Sequence, residues 1–213
     1  MKLTVCGATG GTGQEIVRQA LAAGHEVTAV VRDPARLPEG LTGLRVVTAD
    51  VTDPKALRPA MEGRDAVVSG IGPRSRKQAR AGVVAPATRA ILSAMALCGV
   101  RRFVAVSAAP VGPSPEGDPF LDRRIILPLV RRSLRDVYAD LGAMEQAVGG
   151  SDTEWTIVRP PRLLDRPLTG TYRRVVGANV PAGRTIARSD LAHAILTLLD
   201  DPATVRQVVG VAY

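Results

Sequence analysis

Residues 2–13 read KLTVCGATGGTG, and the rest of the chain takes its meaning from them. Leu3, Val5 and Cys6 make a short apolar run with Thr4 inside it, the pattern of a central strand buried on both faces. Gly7, Gly10, Gly11 and Gly13 close that run. Apolar residues at helical spacing follow at Ile16, Val17, Ala20 and Leu21. Strand, glycine turn and helix in this order are the context of a dinucleotide-phosphate site. Gly7 permits the sharp turn out of the strand, Gly10 lets the backbone approach a pyrophosphate, and Gly13 lets the helix lie close on the strand. The helix start then offers free N–H groups to the phosphates, with Thr9 and Thr12 as added hydroxyl donors. The spacing is G-x-x-G-x-x-G rather than G-x-G-x-x-G, so the strand–helix context carries more of the reading than the motif.

Moving outward, Gly24 closes the first helix, and residues 26–31 (EVTAVV) form a second strand that ends in Arg32-Asp33-Pro34-Ala35-Arg36. In a doubly wound sheet this strand end meets the adenosine ribose, about 20 residues past the glycines. Two guanidiniums, Arg32 and Arg36, suit a 2′-phosphate and favour NADPH over NADH. Asp33, turned inward, would instead accept from a ribose hydroxyl and favour NAD. Residues 44–48 make a third strand, followed by Asp50 and Val51. Asp50 has two readings: a hydrogen bond to the adenine amino group, or a cap on its own loop. Asp53-Pro54 is a good helix-start pair for a short helix at 56–61.

Residues 65–69 form the fourth strand and run into Gly70-Ile71-Gly72-Pro73, small enough for the middle of a cofactor to pass. Arg74, Arg76, Lys77 and Arg80 follow in what reads as a basic loop, either meeting phosphates and carboxylates or simply solvated. A long helix over 83–98 leads to a fifth strand at 102–106, which ends at Ser107. This alternation predicts a doubly wound parallel α/β sheet with right-handed crossovers. Residues 111–121 (VGPSPEGDPFL) read as a loop or lid over the site. Residues 122–148 read as largely helical, interrupted near Pro128, with Tyr138, Leu141 and Met144 facing inward. A sixth strand at 155–158 precedes Arg159-Pro160-Pro161-Arg162, a rigid turn at the carboxyl edge of the sheet, where ligands bind. A small strand outside the main sheet is expected at 171–176. Ser189-Asp190 is expected to cap a helix over 191–199, and a last strand at 207–211. With no internal repeat and no composition break, residues 1–213 read as one domain with a small C-terminal extension on the substrate side.

Composition narrows the functional classes. The chain is 46% hydrophobic, ample for a core, and no apolar run approaches the about 20 residues of a membrane span. The N-terminus enters a strand at once, so no signal peptide is expected. Cys6 and Cys98 lie in a strand and a helix and read as buried small hydrophobes in a reducing cytoplasm rather than as disulfide or metal ligands. The net charge of +8 comes from 25 Arg and 3 Lys spread along the chain, and aromatics make up only 3%. That leaves no stacking platform for nucleic acid; a general arginine bias, or a basic cleft that attracts phosphates, accounts for the charge.

Candidate catalytic groups are few. A Tyr-x-x-x-Lys pair, in which the lysine lowers the tyrosine's pKa, is absent: Tyr138 is followed four residues on by Gly142. His25 and His193 read as structural or surface residues. No serine-hydrolase elbow and no metal-ligand cluster is found, so no strong protein base is expected.

GATGGTG, VVRDPARLP, Gly70-Ile71-Gly72-Pro73-Arg74, VAVSA, WTIVRPPRL and RPLTGTY together resemble atypical short-chain dehydrogenases/reductases. The nearest subgroup is the NAD(P)H-binding, flavin reductase/biliverdin reductase B-like (NmrA-like) proteins. The resemblance runs over nearly the whole chain and implies a Rossmann-like fold. It implies that Thr9 to Gly13, Arg32, Arg36, Asp50, Val51 and Gly72 line NADPH, with Gly70, Ile71, Arg74, Pro160 and Pro161 beside them. Ser107 would then stand near the nicotinamide and hold its carboxamide or the acceptor, where otherwise it caps a strand. Arg162 occupies the position of a histidine in the mammalian enzyme, a departure that counts against biliverdin as acceptor. The implied activity is hydride transfer from NADPH to a flavin or similar planar small molecule, with Ser107 and Arg162 on the acceptor side, in a cytoplasmic monomer or homodimer. A non-catalytic redox-sensing regulator and a pathway-specific reductase or isomerase are the two other classes the same residues allow.

Overall fold

In the computed structural model of the 213-residue chain, the described residues are 1–73, 75–115, 119, 124–125 and 127–213. Arg74 therefore lies outside them, as do 116–118 and 120–121 of the expected lid. The first strand, β1 (Lys2–Cys6), is solvent-free from Leu3 onward. Its residues alternate between two cores: Leu3 and Val5 pack with one helix layer, and Cys6 with the other. Thr4 is tolerated in this apolar setting because its hydroxyl donates to the Ala60 carbonyl. Burial pushes the Cys6 thiol up to about 12, so it is an inert packing group.

The remaining strands are β2 (Glu26–Val31), β3 (Arg45–Thr48), β4 (Ala66–Ser69), β5 (Arg102–Val106), β6 (Glu154–Arg159), β7 (Arg162–Leu164), β8 (Arg173–Val176), β9 (Thr185–Ala187) and β10 (Gln207–Ala212). Eight of them form one sheet in the order β3-β2-β1-β4-β5-β6-β10-β8. All its pairings are parallel except β10 with β8. The helices are α1 (Gly11–Ala22), α2 (Pro54–Met61), α3 (Arg76–Ala81), α4 (Val84–Cys98), α5 (Leu127–Ser133), α6 (Arg135–Gly149) and α7 (Arg188–Leu199). α1 packs on α7 across one face of the sheet; α2, α4 and α6 pack side by side across the other. Strand order reverses between β1 and β4, which opens a crevice at their carboxyl ends. This is the doubly wound, Rossmann-like arrangement expected from the strand–helix alternation.

Four local expectations change. The basic stretch after Gly72 is not a plain loop: Ser75 caps α3 by accepting from the Gln78 N–H, and Gly82 at φ +63° ends it. The break in the long helical segment falls at Leu134 rather than at Pro128. Pro128 is the second residue of α5, where a missing N–H costs nothing. Strand β8 belongs to the main sheet, added antiparallel to the free edge of β10, and the separate two-stranded sheet is β7 with β9. Ser189 and Asp190 sit inside the first turn of α7, whose N-cap is Ala187, because the Asp190 carboxylate is engaged elsewhere. Cys98 is only half-buried.

Long-range polar groups lock the helix ends. Asp140 of α6 accepts from the N–H groups of Val84 and Ala85 at 2.7 and 2.9 Å, capping α4 from another element. Arg102, 7% exposed, donates to the carbonyls of Leu198 and Leu199 at 2.5 and 3.0 Å and so caps the C-terminus of α7. No helix among the described residues is long and apolar enough to cross a membrane.

Candidate functional site

A cavity of about 760 Å³ occupies the crevice at the carboxyl ends of β1, β2 and β4. Its floor is the glycine loop. Gly7, at φ +81°, turns the chain out of β1, and a Cβ there would lie 2.8 Å from the Gly70 backbone. A Cβ at Gly13 would run into the Gly7 carbonyl, so Gly13 holds α1 against β1 without facing the cavity itself. At Gly10 the nearest atom to an added Cβ is the Gly7 carbonyl at 3.4 Å, so that position is open. The first bond of α1 runs from the Gln14 N–H to the Gly10 carbonyl, and no side chain caps the helix. The N–H groups of residues 11–13 therefore have no carbonyl partner within the helix.

Thr9, Gly10, Gly11 and Thr12 line this end; Gly70, Ile71 and Gly72 line the middle. Arg32, Asp33, Arg36, Asp50 and Val51 line the far end. Asp33 accepts from the Ala35 N–H at 3.1 Å, which starts a short 3-10 turn and brings Arg36 round beside Arg32. Asp50 Oδ1 accepts from the Thr52 N–H at 2.9 Å and its hydroxyl at 2.8 Å, so the capping reading holds while the residue also faces the cavity. Those bonds, the backbone one foremost, hold its carboxyl below the usual aspartate range, with Arg32 adding to them. The lining contains no tyrosine, lysine or histidine among the described residues. A nucleotide fits it: an open glycine cradle with unpaired N–H groups at one end, two guanidiniums at the other. Gln78, Pro86 and Arg188 also line the cavity and were not signalled by any local motif.

Ser107, Pro160, Pro161 and Arg162 lie outside this lining. The Ser107 hydroxyl donates to Glu145 Oε1 at 2.6 Å. Arg159 grips the same carboxylate with both arms, Nε to Oε1 at 2.9 Å and Nη2 to Oε2 at 2.5 Å, in a pair whose side chains are each 12% exposed. Glu145, one of three acids on α6, had no sequence signal of its own. A Cβ at Gly112 would strike the Arg159 guanidinium, so the loop after Ser107 seals the pair. Arg131 donates to the carbonyls of Pro110 and Gly112 at 2.8 and 2.6 Å, and Asn179 donates to those of Ala109 and Pro113 at 2.9 and 3.1 Å. The described start of the expected lid is thus tied down from two sides. Pro160 accepts from the Ala109 N–H at 2.8 Å, while Arg162, in β7, is exposed and donates its N–H to Arg184 at 3.3 Å. A second cavity of about 450 Å³ lies beside this loop, lined by Pro110 to Pro113, Arg131, Arg135, Tyr138 and Gly142.

On the other side of the glycine loop, Asp190 has no solvent exposure and gathers the RPLTGTY segment. It accepts from the N–H groups of Thr169 and Gly170 at 2.9 and 2.8 Å, from the Thr169 hydroxyl at 3.0 Å and from the Tyr213 hydroxyl at 2.5 Å. Burial works to raise its carboxyl, but the bonds from Tyr213, Thr169 and Gly170 outweigh it and hold it below the usual range.

Sheet order and glycine cradle define an NAD(P)-binding, Rossmann-like protein. Residues 7–202 match the NAD(P)H-binding family, and the chain belongs to it. Two curated relatives are reductases from Streptomyces. One is a 3-diazoavenalumate denitrifying reductase, 34% identical over 57% of this chain and 42% of its own length. The other is a (4-alkanoyl-5-oxo-2,5-dihydrofuran-3-yl)methyl phosphate reductase of Streptomyces griseus, 30% identical over 78% of this chain and 50% of its own length. The chain thus spans half or less of these two relatives. Among solved structures, a short-chain dehydrogenase/reductase from Veillonella parvula in complex with NADP superposes with a TM-score of 0.83 at 19% identity, over 100% of this chain and 94% of that one. An anaerobillin reductase from Escherichia coli O157:H7 gives 0.79 at 24%, over 100% and 97%. Fold and family agree with the resemblance carried by the sequence motifs.

Proposed function

We propose that the chain is an NADPH-dependent reductase that passes hydride to a flavin or similar planar small molecule, residues 1–213 acting as one NAD(P)-binding unit. The observation that carries this reading is the cavity: a glycine cradle at one end, Arg32 and Arg36 at the other, and no tyrosine–lysine pair along it among the described residues. When bound, NADPH supplies the hydride from its nicotinamide C4. Gly10 to Thr12 and the α1 N–H groups hold the pyrophosphate; Arg32 and Arg36 hold the 2′-phosphate and set the preference for NADPH over NADH. Asp50, Val51, Gly70, Ile71 and Gly72 position the adenine and the middle of the molecule. Ser107 commits its only proton to Glu145, whose carboxylate Arg159 grips from the other side. Toward a ligand Ser107 therefore offers lone pairs, suited to a carboxamide N–H₂ or an acceptor N–H, and it is not a proton donor. An acceptor that takes its proton from solvent, as a flavin does, matches that constraint. Pro160, Pro161 and the exposed Arg162 border the acceptor side, where Arg162 attracts a phosphate or carboxylate.

The deciding experiment is steady-state NADPH oxidation with FMN, FAD and a small quinone. Turnover with at least one supports the reading. Tight NADPH binding with no turnover of any acceptor would favour a redox-sensing regulator.

A further inference from the structure

We infer that Arg188, at the start of the C-terminal helix, is a ligand of the cofactor's pyrophosphate; this rests on the NAD(P)H reading of the main cavity. Arg188 is far from the glycine loop in sequence, yet its side chain lies across Gly11. A Cβ added to Gly11 would stand 2.8 Å from Arg188 Cδ and 3.0 Å from its Nε. The residue lines the cavity at the cradle end. Among the described residues its guanidinium donates from Nη1 alone, to Asp165 Oδ1 at 2.5 Å, and the Asp165 side chain is 88% exposed. The guanidinium is a planar fork of five donors, so the three on Nε and Nη2 remain to engage a second anion.

Electrostatics point the same way. Gly11 begins α1, whose first turn carries no acid, and a helix N-terminus bears a partial positive charge. Arg188 thus sets a full positive charge against an end of the same sign. Asp165 is too solvated to offset that. A dianion lying over Gly10 and Gly11 would offset both charges at once, and a guanidinium matches paired phosphate oxygens. Because the pyrophosphate is common to NADPH and NADH, Arg188 contributes equally to both, unlike Arg32 and Arg36.

The test is calorimetric titration of the full chain with NADPH and with NADH, for the parent, Arg188→Ala, Arg188→Lys and Arg32→Ala. Arg188→Ala should weaken both cofactors by the same factor, roughly tenfold or more. Arg188→Lys should fall between it and the parent, and Arg32→Ala should weaken NADPH alone. The Arg188 side chain is partly exposed, so thermal unfolding should confirm intact variants. Arg188→Ala that binds both cofactors as tightly as the parent, or that loses only NADPH, overturns the assignment of Arg188 while leaving the cofactor reading standing. A parent protein that binds neither cofactor overturns both.

Discussion

The glycine loop and the carboxyl ends of β5 and β6 lie along the same edge of the sheet, but their polar groups are disposed in opposite ways. At residues 11–13 the backbone leaves N–H groups without helical partners, and Gly10 beside them leaves open space where a side chain would stand. At Ser107 the polar groups are consumed internally. Its proton goes to Glu145, Glu145 is gripped by Arg159, and the following loop is pinned by Arg131 and Asn179. One end is preorganised to receive charge; the other is preorganised to stay as it is. Under the proposed function, the open end would bind and orient while the closed end supplies little proton chemistry, leaving the reactivity to what is bound.

The largest expected effect separates two glycines of the open end. Gly13→Val drives a side chain into the Gly7 carbonyl and should cost about 3 kcal/mol or more in stability. Gly10→Val has room in the free protein and should unfold near the parent temperature while losing NADPH binding. Equal destabilisation of the two variants in thermal denaturation would show a loop that is merely tight, with no space reserved for a ligand.

Next comes the charge at the far end of the same cavity. Arg32→Ala with Arg36→Ala removes two charge-assisted contacts of ~1.5–3 kcal/mol each. NADPH affinity should fall at least tenfold with NADH little changed. Equal losses by calorimetry would remove the 2′-phosphate from the assignment.

Asp190 extends the closed type of construction to the C-terminal segment. Its carboxyl is held below the usual range in the folded protein, so its contribution to stability is complete above the unfolded value of about pH 4 and is lost as pH falls through the folded one. Asp190→Asn should lower stability at neutral pH by about 1–3 kcal/mol and flatten the acid limb of the melting-temperature profile. An acid limb with the parent's slope would mean that this carboxylate's bonds contribute nothing.

The smallest effects probe the chemistry. Ser107→Ala should reduce turnover by the value of one hydrogen bond, ~0.5–1.5 kcal/mol. Tyr138→Phe should change it less still, since Gly142 stands where a Tyr-x-x-x-Lys pair would have its lysine and burial pushes the tyrosine's pKa up. A loss of several orders of magnitude in Tyr138→Phe kinetics would restore acid–base catalysis by the protein.

Features governed by neighbours a few residues apart could be read from the chain alone. The glycine turn, the strand–helix alternation, the Asp53-Pro54 helix start and the Arg32/Arg36 pair all follow from backbone stereochemistry or hydrophobic period, which act locally. Most of the cavity lining falls in those segments for that reason. What depended on tertiary packing is of another kind. Asp140 caps α4 from α6, Arg102 closes α7 from β5, Asp190 draws in Thr169 and Tyr213, Glu145 takes the Ser107 proton, and Arg188 reaches Gly11. In each a charged side chain meets a partner distant in sequence. Nothing in the flanking residues records that partner, because it is chosen only when buried polar groups must be satisfied in the packed chain.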